Sequence, residues 1–283
     1  MEHTQTQHDT TYDPDYHFTP QSAIWQINRE RVLLLTGIKV LLMQIAHPLV
    51  AESVYAHSYV FDKPIKRLHR TLTLTLGMVF GTRTEVQPAI NAIDAAHRPA
   101  VGRTEQATGQ HPAGTVYNPR NPYQALWVFA TLVEGAVSGY ETLVAPLNDE
   151  RKQAMLDDSR LIASWMGIPA QVVPDTYQGL LDYMQDAIES EIVIVGEKAR
   201  QIAPFVSTQS IPIVKWFSYF PVQANIALLP ETIRTQYGYT LSTREQQLAE
   251  RAFALSRWLV PRLPDWVRFA PEYQRAIKSF PAG

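Results

Sequence analysis

The dominant feature of the hydrophobic pattern is a long apolar run between Val32 and Ile45. It consists almost entirely of leucine, isoleucine, valine and methionine, and its polar interruptions include Lys39 and Gln44. A segment that is apolar on every side belongs either in the middle of a core or in a lipid bilayer. A membrane span needs about 20 predominantly apolar residues, and these polar side chains fall inside the window. The sequence therefore predicts a central buried helix that carries polar groups inward.

Helical periodicity continues along most of the chain, and the 20 prolines divide it into pieces of helical length. Proline is tolerated in the first turn of a helix and disrupts it further in. Strand-like alternation is scarce, and the one run of β-branched residues, Ile192–Val195, lies in a helical context. We predict helices over 22–46, 49–58, 65–81, 86–98, 121–144, 148–167, 175–202, 213–228, 231–237, 243–260 and 271–278.

These elements predict an all-α fold. Residues 21–283 are expected to form a single multi-helix domain with a buried central helix and an internal apolar pocket for a cofactor or substrate. Residues 1–20 are polar and lack periodicity, and we expect them to form a flexible N-terminal arm with solvated histidines.

Composition excludes several classes of function. A net charge of −2 leaves no basic footprint of the kind that nucleic-acid binding needs. The chain contains no cysteine, which excludes disulfides, thiolate nucleophiles, cysteine zinc sites and iron–sulfur clusters. Because the first residues also lack a basic start followed by an apolar segment, we expect a cytoplasmic protein.

The histidine at position 97 lies on the same helix face as two isoleucines. Ile90, Ile93 and His97 are spaced i, i+3 and i+7 in a segment that Pro88 opens and Pro99 ends. A neutral imidazole at the edge of an apolar cavity is a suitable ligand for haem iron. The same spacing fits a buried histidine satisfied by a backbone carbonyl, so the pattern alone leaves both interpretations open.

Arg67, Arg70 and Thr71 form a second candidate cluster near the start of a predicted helix. Arg67 and Thr71 are four residues apart and share one face of that helix. An arginine followed by an apolar helix can bind a carboxylate, such as a haem propionate or an acidic substrate. The alternative is a solvated cationic turn, although positive charge near a helix N-terminus is mildly unfavourable and calls for a compensating anion.

His47 and His57 are further candidates, either as iron ligands or as structural residues that satisfy buried backbone. A non-haem metal on His47, His57 or His97, with Glu52 as a nearby carboxylate, is a third option. Against it, the chain has neither an H-E-x-x-H motif nor the Glu-x-x-His elements of di-iron bundles. It also lacks a G-x-S-x-G elbow and phosphate-binding glycine loops.

Several segments, taken in order, resemble the MpaB-type oxygenase family, which includes the latex-clearing rubber oxygenases. The resemblance covers about residues 22–278. It rests on LLMQIAHPLVAESVYAHS at 41–58, RLHRT at 67–71, VFG at 79–81, His97 with Gly102 after it, YQALWVFATLVEGAVSGYE at 123–141, MGIP at 166–169 and LLPETIRTQYGY at 228–239.

The resemblance implies a single b-type haem held by a histidine, with dioxygen as co-substrate. Aligning Arg67–Thr71 on the Arg-x-x-Lys-Thr motif of the rubber oxygenases places His97 about where their iron-ligating histidine falls. Arg67 is then expected to hold a propionate or polarise the distal side, and Thr71 to donate a hydrogen bond in the pocket. Arg70 stands where those enzymes carry a lysine that approaches iron; arginine stays protonated and is a poor ligand.

One departure from the family lies in the segment Trp127–Leu132. Family members commonly read WVHATL there, whereas this chain has Phe129 in place of the histidine. The exchange either enlarges an apolar pocket or marks a paralogue with altered chemistry. Phe129 and Thr131 are both expected to line the cofactor site.

The leading hypothesis is a haem b-dependent oxygenase that acts on a hydrophobic small molecule, for instance an isoprenoid. The alternative is a non-catalytic protein that binds an apolar ligand on the same fold. The C-terminal part is rich in aromatic residues, among them Trp258 and Trp266, which are either core residues or contacts to a substrate entrance or a membrane surface. Peripheral membrane contact therefore stays open as an expectation.

Overall fold

The computed structural model describes residues 15–57, 64–207 and 222–280, with the side chains of 64–70, 72 and 207 excepted. Its helices confirm the predicted all-α fold class. They are α1 (Ala23–Asn28), α2 (Gly37–Ala46), α3 (Pro48–His57), α4 (Pro64–Phe80), α5 (Arg83–His97), α6 (Pro122–Leu143), α7 (Asp149–Trp165), α8 (Tyr177–Glu189), α9 (Glu197–Ser207), α10 (222–227), α11 (Glu231–Gln236), α12 (Thr243–Leu259), α13 (Asp265–Arg268) and α14 (Pro271–Ala276).

Short 3₁₀ segments and one small sheet complete the described fold. The 3₁₀ segments are Arg31–Thr36, Ala170–Val172, Val260–Arg262 and Ile277–Ser279. The sheet pairs β1 (Gly102–Arg103) with β2 (Val116–Tyr117) in antiparallel register.

The apolar run forms the centre of the fold, as predicted. Helix α2 packs between α3, α6 and α9. It approaches α6 closely because Gly135 has no side chain: a Cβ atom at that position would lie 2.3 Å from a methyl carbon of Val40. Lys39 and His47 are both buried, so the predicted inward polar groups are confirmed.

The chain bends sharply between α2 and α3, and side chains from elsewhere satisfy the backbone at the bend. Pro48 has no N–H to donate, so α2 cannot continue its hydrogen-bond ladder through it. The indole N–H of Trp127 donates to the carbonyl of Met43 at 2.9 Å, and the hydroxyl of Tyr237 donates to the carbonyl of Leu42 at 2.7 Å. Buried carbonyls need such partners, and here α6 and α11 supply them.

The first predicted helix, 22–46, is wrong in its continuity. The chain leaves helical geometry at Glu30, which is extended and forms an isolated bridge with Phe269. A 3₁₀ segment follows, and it exposes Leu34 and Leu35 at 44% and 55% instead of burying them. The apolar run is therefore buried only from Thr36 onward.

The predicted helix over 175–202 is also interrupted. The run Ile192–Val195 forms the non-helical link between α8 and α9, and Val193 and Val195 enter the core there. Glu191 has a positive φ of 60°, which reverses the chain direction at the end of α8. Of the predicted helix 213–228, residues 213–221 lie outside the described residues and 222–227 are helical.

Residues 15–20 of the expected flexible arm are described, and two of them pack into the core. Tyr16 and Phe18 are buried in the main core, and the Tyr16 ring packs edge-on against Trp25 at 5.9 Å between centroids. The guanidinium of Arg83 donates a hydrogen bond to Nδ1 of His17. Residues 1–14 of the expected arm lie outside the described residues.

No single helix in the described residues has the length and apolar character needed to cross a membrane. A bent pair, Arg31–Ala46 with Pro48–His57, meets the length and composition criteria jointly, with an angle of 104° between its two halves.

Candidate functional site

The predicted site residues on α4 and α5 belong to two consecutive helices. The helices are in contact and are joined only by Gly81 and Thr82, where Thr82 caps α5 together with Glu85. Arg67 lies in the part of α4 that is far from this joint, and His97 is the last residue of α5. That the two residues share one site stays a prediction.

His97 is the last residue of α5 and is half-buried. Burial lowers the pKa of its imidazole below the ordinary value of 6.5, while the carboxylate of Asp94 acts in the opposite direction. That carboxylate is held by Arg98 at 2.7 Å and by Arg120 at 3.3 Å. The ring nitrogens of His97 make no hydrogen bond within the described residues. The imidazole is therefore neutral near pH 7 and has a lone pair available for a ligand.

The predicted partners on α4 are only partly described. Residues 67 and 70 are helical, and their side chains lie outside the described residues. Thr71 is solvent-exposed on the same helix and has a polar contact of its own. The roles of Arg67, Arg70 and Thr71 at a site shared with His97 stay predictions.

Hydrogen bonds connect the segment that follows His97 to α3. The hydroxyl of Ser53 donates to the carbonyl of Ala100 at 3.3 Å. His57, at the exposed end of α3, shares a hydrogen bond of 3.3 Å with the hydroxyl of Tyr117. The Tyr117 ring covers Gly102, where a Cβ atom would lie 2.2 Å from the tyrosine oxygen. These contacts fix the position of α5's end relative to α3, and sequence reasoning did not find Tyr117.

His47 stabilises the backbone at the bend between α2 and α3. Its Nδ1 accepts the backbone N–H of Leu49 at 3.2 Å, and its ring lies 5.3 Å from that of His111. Burial, together with the smaller effect of the neighbouring His111, lowers the pKa of His47 to about 3. The prediction that His47 bridges buried backbone is confirmed. His57, in contrast, is exposed and does not share the partial burial of Val50 and Val54.

A polar cleft of about 120 Å³ opens between α3, α9 and the loop after β1. Burial raises the pKa of Glu52 in its wall; Lys198 opposes this shift and Glu105 adds to it. Lys198 pairs with Glu105 at 3.3 Å and lies 4.1 Å from the centroid of the Tyr55 ring. The cleft is smaller than the 300 Å³ or more typical of small-molecule sites.

A second cleft, of about 200 Å³, lies between α2, α6 and α8 and has a charged floor. The ammonium of Lys39 lies 2.6 Å from both carboxylate oxygens of Glu134 and donates to the Ser138 hydroxyl at 2.8 Å. The remaining wall is mainly apolar: Met43, Leu181, Met184, Ile188, Leu228 and Pro230, with Gln185. Sequence reasoning missed this pair. Its signal was a lysine inside the apolar α2 and a glutamate in the middle of the largely apolar α6.

Phe129 and Thr131 are both fully buried on α6. Phe129 belongs to the main hydrophobic core, and the Thr131 hydroxyl donates to the carbonyl of Val128 at 2.7 Å within its own helix. Neither residue lines the two clefts described above. Their expected role in cofactor binding stays a prediction.

The described residues contain no group of three or more histidine, aspartate or glutamate side chains with the geometry of a metal site. His47 is bonded to the backbone of Leu49, His57 is bonded to Tyr117, the His97 ring has no hydrogen bond in the described residues, and Glu52 faces Lys198. The third hypothesis, a non-haem metal on these histidines, therefore has no support in the described geometry.

Comparison with known proteins gives a family match over most of the chain. Residues 24–260 match the family described as "ER-bound oxygenase mpaB/B'/Rubber oxygenase, catalytic domain". Uncharacterized proteins of Mycobacterium bovis and Mycobacterium tuberculosis are each 27% identical to this chain over 161 residues. The aligned region is 56% of this chain and 60% of each relative, so it spans less than two thirds of those proteins. No solved structure matches.

Proposed function

From the premise that this chain belongs to the MpaB and rubber oxygenase catalytic-domain family, we propose that it is a haem b-dependent oxygenase acting on a hydrophobic small molecule. Family membership supports the oxygenase function itself. The haem, its ligand and the substrate class are the proposal. The observation that carries it is the half-buried imidazole of His97, whose pKa burial lowers and which has no hydrogen bond in the described residues.

The donor at this site fits a haem. Axial ligation needs an unprotonated imidazole nitrogen, and burial keeps His97 in that form at neutral pH. Bound haem supplies an iron centre that activates dioxygen. The hydrogen bond from Ser53 to Ala100 connects the segment after His97 to α3, and the His97 ring has no hydrogen bond of its own in the described residues.

The α4 turn supplies the other polar groups of the proposed site. Arg67 would pair with a propionate of the haem, for which its planar guanidinium is well suited. Arg70 would keep its positive charge and act as a hydrogen-bond donor, in contrast to a lysine, which can lose its proton. Thr71 would donate a hydrogen bond at the haem site. The polar groups around the haem would therefore differ from those of a lysine-bearing oxygenase.

An optical spectrum tests the proposal. Protein expressed with ample haem supply is expected to carry a bound-haem absorption band in stoichiometric amount, and His97→Ala is expected to lose it. His57→Ala is the matched control, because it removes an exposed histidine that is not the proposed ligand while Ser53 still holds Ala100, and it is expected to keep the band. Circular dichroism of each variant shows whether the fold persists. Colourless wild-type protein would contradict the proposal.

A second candidate function is the binding of an apolar ligand without redox chemistry. The burial of Phe129 at a position where the family commonly carries histidine favours it. Mass spectrometry of gently purified protein distinguishes the two functions. A bound apolar molecule with neither iron nor porphyrin supports the binding protein, whereas porphyrin in wild type and its absence in His97→Ala supports the oxygenase.

A further inference from the structure

Helix α12 exposes a row of large apolar side chains. Leu248, Leu255, Trp258 and Leu259 are 53%, 59%, 57% and 43% exposed. On the opposite side the helix meets the protein mainly through small residues such as Ala249, which is buried. Apolar residues scattered singly over a surface are ordinary, but four on one helix face form a contiguous patch. No described residue covers this patch.

Arginines are interleaved with these apolar residues. Arg244, Leu248, Arg251, Leu255 and Trp258 follow one another at steps of four, three, four and three residues, which is the spacing of a single helix face. Both arginines are exposed. We call this row the arginine–leucine face of α12.

The face continues past the end of the helix. Arg262, in the following 3₁₀ segment, lies with its guanidinium carbon 4.9 Å from the centroid of the Trp258 ring. The segment Arg31–Thr36, with Leu34 and Leu35 exposed, packs against α13, whose Trp266 is 72% exposed. Further apolar surface is therefore available on these two neighbouring elements.

The carboxylates of α12 lie off this face. Glu245 is turned back to the helix start, where it accepts hydrogen bonds from the backbone and hydroxyl of Ser242. Glu250 is two residues, or about half a turn, from Leu248. The face thus combines apolar groups with positive charge alone, and its partner must be apolar and negatively charged.

We propose that the arginine–leucine face of α12 docks on an anionic lipid surface. An interfacial helix places leucine and tryptophan side chains at the boundary of the acyl chains and its arginines beside the lipid phosphates. A second copy of this chain is a poor occupant, because an isologous contact would set the arginines of one copy against those of the other. For an enzyme of hydrophobic substrates, docking of this kind brings the protein to the phase in which such molecules dissolve; the docking itself does not depend on the haem.

Vesicle sedimentation tests the docking. Full-length protein is expected to partition into phosphatidylcholine vesicles that contain phosphatidylserine and to bind pure phosphatidylcholine vesicles far more weakly. Each arginine near an anionic surface contributes about fivefold, so Arg244→Gln with Arg251→Gln is expected to lower the partition coefficient about 25-fold. High salt is expected to reduce binding similarly, since it screens exposed charges.

A second variant tests the apolar component. Leu255→Ser with Trp258→Ser is expected to lower binding by roughly tenfold or more, because buried leucine and tryptophan surface is lost. Tyr123→Ser, which changes a 70% exposed aromatic residue on α6, and Arg103→Gln with Arg200→Gln, which remove two exposed charges on other elements, are the matched controls and are expected to bind as wild type does.

Three outcomes overturn the proposal. The first is wild-type protein that does not bind phosphatidylserine vesicles. The second is binding that the controls reduce as much as the face variants do. The third is a wild-type dimer that Leu255→Ser with Trp258→Ser converts to monomer without any vesicle binding, which would assign the face to a second copy. Circular dichroism confirms that each surface variant is folded before its binding is scored.

Discussion

Glu30 and Arg268 form a bidentate ion pair between residues 238 positions apart in the chain. The Nε and Nη2 atoms of Arg268 donate to the two carboxylate oxygens of Glu30 at 2.8 and 2.7 Å. The Glu30 side chain is completely buried, and Arg29 next to it stacks on the Phe269 ring at 4.5 Å. The pair explains why the predicted first helix ends at residue 28: Glu30 is held in extended geometry by a partner near the other end of the chain.

We expect Arg268→Met to lower the free energy of unfolding by about 3 kcal/mol, because it leaves the buried carboxylate of Glu30 without its closest counter-charge. Arg29, at 3.7 Å, offsets only part of the loss. Chemical denaturation measures the effect. Replacing both partners, with Glu30→Leu and Arg268→Met, should recover most of the stability; a double variant no more stable than Arg268→Met would contradict this account.

Gly135 controls the approach of α6 to α2, so Gly135→Ala should be destabilising although alanine favours helix. The added Cβ atom meets the Val40 methyl at 2.3 Å, and overpacking typically costs about 1–3 kcal/mol against a propensity gain of up to about 1 kcal/mol. We expect a net loss of about 1 kcal/mol in urea unfolding.

Gly77→Ala is the control for this prediction. Gly77 is also inside a helix, and its added Cβ atom would meet nothing within 4 Å, so the same substitution there should stabilise the protein. Adding Val40→Ala to Gly135→Ala should relieve the overlap, and strictly additive effects of the two changes would argue against direct contact.

His47 makes stability depend on pH. Burial holds its folded pKa at about 3, below the unfolded value of 6.5, so the unfolded chain binds the proton first as the pH falls. Its contribution is complete above pH 6.5 and is lost progressively between pH 6.5 and 3. Between pH 7 and 5 the loss is about 2 kcal/mol.

His47→Asn tests this dependence, because its amide oxygen can still accept the Leu49 N–H while the side chain no longer titrates. Unfolding free energies at pH 7 and 5 should therefore differ by about 2 kcal/mol less in the variant than in wild type. Equal pH dependence in the two proteins would mean that His47 takes up its proton in the folded state.

Phe129→His should cost more stability than Phe129→Leu. Both changes shrink a side chain that is only 1% exposed, but histidine also places polar ring nitrogens in the core, where an unpaired group costs about 1–3 kcal/mol. Thermal and urea unfolding of the two variants measure the difference. If histidine were tolerated as well as leucine, the side chain at 129 would border a polar pocket and not a dry core.

Local chemistry determined most elements of this fold in advance. Asn148 caps α7 and Thr176 caps α8 through hydrogen bonds to the backbone three residues further on, and Gly167 ends α7 with a positive φ of 75°. Such signals act within one helical turn, so they can be read from the sequence alone.

The tertiary structure alone decided where two predicted helices break and which buried charges meet. Glu30 leaves helical geometry for Arg268, and Lys39 finds Glu134 on another helix; in each case the partner is about a hundred residues or more away. A charge buried in the core is costly unless an opposite charge lies beside it, and the attraction within the pair offsets the loss of water only when the chain is folded. Periodicity and capping residues indicate local structural preference. They do not indicate which residue of a distant helix will become the partner once the helices pack.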